Sequence, residues 1–173
     1  MLEIVGYILM AVAIVGTLSS TVYLGLVLAA VAKFRAESRK LLLPPAADAS
    51  LPAVSMIKPV HGLEPQLREN IESFFRQEYP RFEILFGADS EDDLALQIIR
   101  EVGARYPHVE SRIIVHGLPP WPNPQTYSLH SLAREAKYGV IVASDSDVEV
   151  AANYLREVVT PLLKPGIAMT TCL

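Results

Sequence analysis

The sequence predicts an α/β domain with a mostly parallel sheet, carried behind one N-terminal transmembrane helix. Three observations lead there. Ile4 to Ala32 is a run of 29 residues without a charge. From Pro52 onward, short β-branched apolar runs alternate with segments whose apolar residues recur at helical spacing. Two of those apolar runs end in clusters of aspartate.

The first run would span about 44 Å as a helix at 1.5 Å per residue, enough to cross a bilayer, and residues 4–32 are read as the span. It also accounts for a mean hydropathy of +0.29 and a 51% hydrophobic composition, which are high for a soluble domain. Lys33, Arg35, Arg39 and Lys40 follow it against the single acid Glu37, whereas Glu3 is the only charged side chain on the other flank. Cytoplasmic ends of spans carry the Lys and Arg excess, so the body of the chain is expected in the cytoplasm, with a single pass through the membrane. A cleaved signal peptide fits less well: no basic segment precedes the run, and it is longer than the usual apolar region of such peptides. The lone cysteine, Cys172, cannot make an internal disulfide, in keeping with a reducing compartment.

Residues 33–51 read as a basic flank and a Pro-rich linker, with Pro44 and Pro45 unable to continue a helix. Residues 52–173 form the domain, large enough to bury a core. Ala53 to Val60 reads as a strand, and Glu64 to Gln77 as a helix through Leu67, Ile71, Phe74 and Phe75. Phe82 to Ala88 is the second strand, and Glu91 to Arg105 the helix carrying Leu94, Ile98, Ile99 and Val102 on one face. Val109 to His116 and Gly139 to Ser144 are the third and fourth strands, separated by a Pro-rich loop and the stretch Ser128 to Lys137. A helix over Ala151 to Leu163 precedes Gly166 to Leu173, which begins like another strand. Strands alternating with helices imply parallel pairing through right-handed crossovers.

Ligands of such sheets sit beyond the carboxyl ends of the strands. Here the second strand runs into Asp89-Ser90-Glu91-Asp92-Asp93 and the fourth into Asp145-Ser146-Asp147. Neither loop has a glycine-rich phosphate cradle, which argues against dehydrogenase and P-loop chemistry. Residues 41–173 hold 11 Lys and Arg against 17 Asp and Glu, a net of −6, which argues against a nucleic-acid partner. Carboxylates can hold a phosphate-bearing ligand only through a cation, and a divalent metal supplies it. Asp145 and Asp147, two residues apart on an extended segment, project to one side, and one or both would hold Mg²⁺ or Mn²⁺. The competing reading is structural: aspartate and serine serve turns and helix caps, and Asp147 or Glu149 could simply begin the helix at Ala151. His61 and His130 stand at no metal-ligand spacing and stay unassigned.

Several segments together carry a resemblance. They are the N-terminal apolar helix, Val54-Ser55-Met56-Ile57-Lys58-Pro59-Val60-His61-Gly62-Leu63-Glu64, Phe74-Phe75-Arg76-Gln77-Glu78-Tyr79-Pro80, the acidic loop from Asp89 to Asp93, Asn123-Pro124, and Ala136-Lys137-Tyr138 leading into Asp145-Ser146-Asp147. The chain resembles the ceramide glucosyltransferase-like branch of the inverting family 2-type glycosyltransferases, which includes the bacterial hopanoid-biosynthesis glycosyltransferases. The resemblance implies a GT-A fold, a UDP-sugar donor such as UDP-glucose or UDP-N-acetylglucosamine, a divalent metal, and a lipid acceptor at the cytoplasmic membrane face. By the same resemblance Asp89 is the acceptor of a hydrogen bond from uracil, with Asp92 or Asp93 as alternative holders of that role. Asp145 and Asp147 are the ribose- and metal-contacting pair, and Lys58 and Pro59 sit where the first strand meets the nucleotide pocket.

Two departures accompany it. Relatives carry a lysine after Asn-Pro where this chain has Gln125, so that donor binding is weakened or Arg112 or Arg134 compensates. The family's catalytic base is a third aspartate followed by Gln-x-x-Arg-Trp, and here the only tryptophan is Trp121. The expectation is therefore the N-terminal, donor-binding part of a truncated enzyme, with no catalytic base among these residues and no turnover by them alone. The alternatives are an inactive remnant or membrane-anchored nucleotide-binding module, and an unrelated α/β domain whose acidic loops only cap helices.

Overall fold

The computed structural model describes residues 2–41, 47–120 and 122–171. Pro44 and Pro45 of the linker, Trp121, Cys172 and Leu173 lie outside the described residues. The chain divides into two compact units, Met1–Pro44 and Pro45–Leu173.

The first unit is one helix, α1 (Leu2–Leu41). Within it Glu3–Ala36 has a mean hydropathy of 1.9, so it is long and apolar enough to cross a membrane. The helix runs past residue 32, the end of the span expected from the sequence. Lys33, Arg35 and their neighbours to residue 41 are helical too, because Lys, Arg, Ala and Glu propagate a helix well.

The second unit holds a four-stranded parallel sheet in the order β3-β2-β1-β4. Its elements are β1 (Val54–Pro59), α2 (Leu67–Phe75), β2 (Phe82–Ala88), α3 (Leu94–Arg105), β3 (Glu110–Val115), α4 (Pro124–Glu135), β4 (Val140–Ala143) and α5 (Tyr154–Val159). Short 3₁₀ turns at Asp48–Ser50 and Thr160–Leu163 precede β1 and follow α5. The strand order dictates the layers. β1 to β2 to β3 steps one way across the sheet, whereas β3 to β4 steps back past both to the far side of β1. Right-handed crossovers then put α2 and α3 on one face and α4 on the other.

The core follows that division. Val54, Met56, Ile84, Phe86 and Ala88 pack with Ile71, Phe74, Phe75, Leu96, Ile99, Val102, Leu155 and Val159 on one face. Ile57 and Leu85 meet Leu132 of α4 on the other. The alternation of side chains along β1 and β2 separates the two sets, as period 2 requires. α4 lies so close to β2 that a Cβ on Gly87 would stand 2.7 Å from Ser128 Oγ and 2.9 Å from Leu132 Cδ1.

The α4 face also buries a carboxylate. Glu83 is wholly inaccessible and accepts from Ser55 Oγ at 2.7 Å, Lys137 N–H at 2.8 Å and Arg112 Nη2 at 3.1 Å. Burial alone would raise its pKa, and these donors outweigh burial and lower it.

The fifth strand expected over Gly166 to Leu173 does not form within the described residues. Residues 167–171 join no ladder, Met169 is mostly exposed, and Thr170 Oγ1 instead donates to the Val158 carbonyl at 2.8 Å. The helix expected over Ala151 to Leu163 is shorter, because the backbone tightens to 3₁₀ at Thr160-Pro161.

Gly87→Ala is expected to cost about 1–3 kcal/mol, the usual penalty for forcing atoms into a filled core. Thermal unfolding followed by circular dichroism checks it, and an unchanged midpoint would contradict the close approach.

Candidate functional site

The strand order reverses between β1 and β4, and a crevice opens at the carboxyl ends of strands flanking such a switch point. A cleft of about 700 Å³ lies there. Pro59, Val60, His61 and Glu64 line it from the end of β1, Asp89 from the end of β2, and Asp145, Ser146 and Asp147 from the end of β4. The first turn of α4 closes it with Asn123, Pro124, Gln125 and Ser128. Asn123 caps that helix by accepting from Thr126 N–H at 3.0 Å, and Pro124 follows at the first helical position, where its missing N–H costs nothing. Four carboxylates line the cleft, and no lysine or arginine does among the described residues.

The Asp145-Ser146-Asp147 loop is held from three sides. Ser144 N–H continues the β1 ladder to the Ile57 carbonyl at 3.2 Å. Gln125 Nε2 donates to Asp145 Oδ1 at 2.8 Å, and Ser146 Oγ to Glu64 Oε2 at 2.6 Å. From below, the Lys58 amine donates to the Asp145 carbonyl and lies 3.4 Å from the Phe74 ring centroid. Lys58 is 0% exposed and is not among the residues that line the cleft. Burial pushes its pKa down to about 7, against the pull of the Asp145, Asp147 and Glu64 charges. Pro59, its neighbour, does line the cleft.

The aspartates of the second acidic loop part company. Asp89 is 30% exposed and faces the cleft, with His116 Nδ1 3.7 Å from its Oδ1. His116 is itself buried, its Nε2 2.8 Å from Ser128 Oγ and its Nδ1 3.0 Å from the Gly117 carbonyl. Asp93 lies outside the cleft. It caps α3 by accepting from Ala95 N–H at 2.8 Å, and both its oxygens accept from Gly62 N–H at 3.0 Å. Asp92 is exposed and also lies outside the cleft lining. Of the two alternative holders of the uracil-recognition role, Asp93 is committed to the α3 cap and Asp92 faces solvent outside the cleft lining.

Nor do Arg112 and Arg134 replace the cation absent at Gln125. Arg112 reaches Glu83 and the Glu135 carbonyl on the α4 face, and neither arginine lines the cleft. Sequence reasoning missed Glu64, His116 and Ser128. His116 was legible only as the last residue of an apolar run, and its partners lie in other elements.

Among the described residues no group of three or more His, Cys, Asp and Glu is gathered around one point. A magnesium-type ion does not need one, since it is commonly bound through one or two carboxylates plus substrate phosphates. Hard carboxylate oxygens at Asp145 and Asp147, in a cleft without side-chain cations, fit such an ion.

The parallel four-stranded sheet with this cleft at its switch point is GT-A-like in fold. The family described as Glycosyl transferase family 21 matches residues 10–173, and the chain belongs to that family. Ceramide glucosyltransferase 1 of Caenorhabditis elegans is 34% identical over 116 residues, 67% of this chain and 25% of the relative. Ceramide glucosyltransferase of Komagataella phaffii is 30% identical over 128 residues, 72% of this chain and 24% of the relative. The chain thus spans about a quarter of the length of these curated relatives. Among solved structures it is similar to a mannosyltransferase of Pyrobaculum calidifontis in complex with GDP-Man and Mn²⁺. That likeness has a TM-score of 0.61 at 19% identity and covers 79% of this chain and 41% of the other. A mycobacterial protein matches with a TM-score of 0.53 at 18% identity over 70% of this chain and 42% of the other.

Asp93→Ala is expected to lower stability by about 1–2 kcal/mol through the lost cap. Thermal melts check it, and an unchanged midpoint would contradict the capping role.

Proposed function

We propose that these residues are the membrane-anchored donor-binding part of an enzyme that transfers a sugar from a UDP-sugar to a lipid with inversion. The observation that carries the proposal is the cleft: four carboxylates and no side-chain cation at the switch point of a family 21 domain. A diphosphate brought there unaided would meet repulsion from every charged wall. Asp145 and Asp147 would hold Mg²⁺ or Mn²⁺, and the ion, when bound, supplies charge neutralisation for the departing nucleoside diphosphate. The Pyrobaculum neighbour, crystallised with GDP-Man and Mn²⁺, supports a nucleotide sugar and a metal. The ceramide glucosyltransferase relatives support a lipid acceptor.

Each residue then has a task. Asp89, steadied by His116, accepts a hydrogen bond from the uracil ring. Pro59 and the first turn of α4 wall the nucleotide. Asp145 and Asp147 face its ribose and phosphates. Inversion requires a carboxylate that takes the acceptor's proton, and none of these residues is assigned that work. Residues 1–173 alone are accordingly expected to bind donor without transferring its sugar. The apolar helix anchors the domain, with Lys33, Arg35, Arg39 and Lys40 holding it at the cytoplasmic face.

Calorimetry with UDP tests the site. Mn²⁺ is expected to tighten UDP at least about tenfold, Asp145→Ala to abolish that gain, and Asp89→Ala to weaken uridine itself. UDP affinity that ignores the metal would overturn the assignment. Reporter fusions at residue 173 test the orientation: activity from a cytoplasmic reporter is expected, and alkaline phosphatase activity would reverse the topology.

A further inference from the structure

We infer that Lys58 is a positioning residue for the Asp145-Ser146-Asp147 loop, holding it from beneath the cleft floor without touching the donor. The inference rests on the donor-and-metal reading of that loop. Lys58 stands near the end of β1, one residue beyond the last β1–β4 pair, Ile57 with Ala143. Its side chain turns away from the cleft toward α2, where Phe74 is wholly buried. There the amine reaches the Asp145 carbonyl, with Ser144 Oγ 3.4 Å away.

The choice of a carbonyl matters. An amine that paired with the Asp145 carboxylate would compete with any cation for it. Bound to the main chain, the amine fixes the orientation of the peptide group that carries Asp145 and leaves that carboxylate facing the cleft. Gln125 steadies one carboxylate oxygen from the α4 side, and Glu64 holds Ser146 between the two aspartates. The loop therefore meets a ligand with its backbone fixed from below and its side chains fixed from either flank. Such preorganisation is what a site needs if ordering cost is not to be deducted from affinity. Burying a lysine is costly, and a methionine of similar length would fill the space over Phe74 without that cost. Packing alone does not explain the amine.

The test is calorimetry on the full chain in detergent with uridine, UDP, and UDP with Mn²⁺. Lys58→Met is expected to leave uridine affinity within about twofold of wild type, since Asp89 is untouched, and to cut the Mn²⁺-dependent gain in UDP affinity about tenfold. Retention of the whole metal-dependent gain would overturn the inference. So would a loss shared equally by uridine and UDP, which a purely structural lysine would produce. If Lys58→Met does not fold, ¹⁵N-lysine spectra of the wild-type chain decide. The Lys58 amine resonance is expected to shift on addition of Mg²⁺ with UDP and not with uridine, and a resonance unmoved by both overturns the inference. A wild-type chain whose UDP affinity ignores Mn²⁺ fails the donor-and-metal reading itself, and this inference with it.

Discussion

Because β4 pairs with the outer side of β1, the chain leaving β3 must return across two strands, and α4 has to lie against the sheet to make that crossing. The constraint is met at one residue. Gly87 has no Cβ, so Ser128 and Leu132 settle directly onto β2. That contact sets the height of α4 over the sheet, and with it the place where its capped first turn meets the ends of β1 and β4. Ser128 also touches His116, which stands beside Asp89. A missing methyl group on β2 is thereby linked through two side chains to the position of a carboxylate in the cleft.

The two ends of the sheet treat acidic side chains in opposite ways. On the α4 face, Glu83 is buried and fully served by a hydroxyl, a backbone N–H and a guanidinium. Both oxygens of that carboxylate are engaged, and its role is to join β1, β2, β3 and the turn before β4. At the carboxyl end, Asp145 and Asp147 are exposed, and Gln125 provides only a neutral amide. Repulsion among unserved carboxylates is a cost that burial elsewhere in the fold must offset. With a divalent cation at Asp145 and Asp147, as proposed, it would become an advantage, because neutral amide and hydroxyl donors orient the carboxylates without occupying them as a lysine or arginine would.

Much of this was legible in the sequence. The parallel α/β layout followed from periodicity, since β1, β2 and α3 each keep one pattern from end to end. The resemblance singled out Phe74 to Pro80, and the structure shows what that segment does. Gln77 clamps the Ala151 carbonyl and the Leu155 N–H, and Tyr79 donates to the Pro52 carbonyl, so the motif ties α2 to the start of β1 and to α5. Other features stayed hidden for definite reasons. The first turn of α4 went unread, although Asn123-Pro124 is a cap followed by a proline at the first position, because the surrounding prolines read as loop. The burial of Lys58 stayed hidden because it depends on Phe74 and Asp145, 16 and 87 positions away in the chain. No local pattern encodes a partner at that separation.

The acidic loop after β2 shows why counting carboxylates does not locate a site. Asp89, Glu91, Asp92 and Asp93 are near neighbours in the chain and equivalent in charge. What separates them is the geometry of a strand turning into a helix. Asp89 continues the line of β2 and so emerges at the cleft, whereas Asp93 stands at the N-cap, where the free N–H groups of α3 claim its oxygens. Gly62 strengthens that claim. Its positive φ turns the loop after β1 so that its N–H also meets Asp93, and α3 becomes fastened to the strand end beside it. The cap therefore holds the wall of the cleft that Asp89 faces. One aspartate emerges at the cleft while the other, four residues on, is engaged in keeping the loop in place.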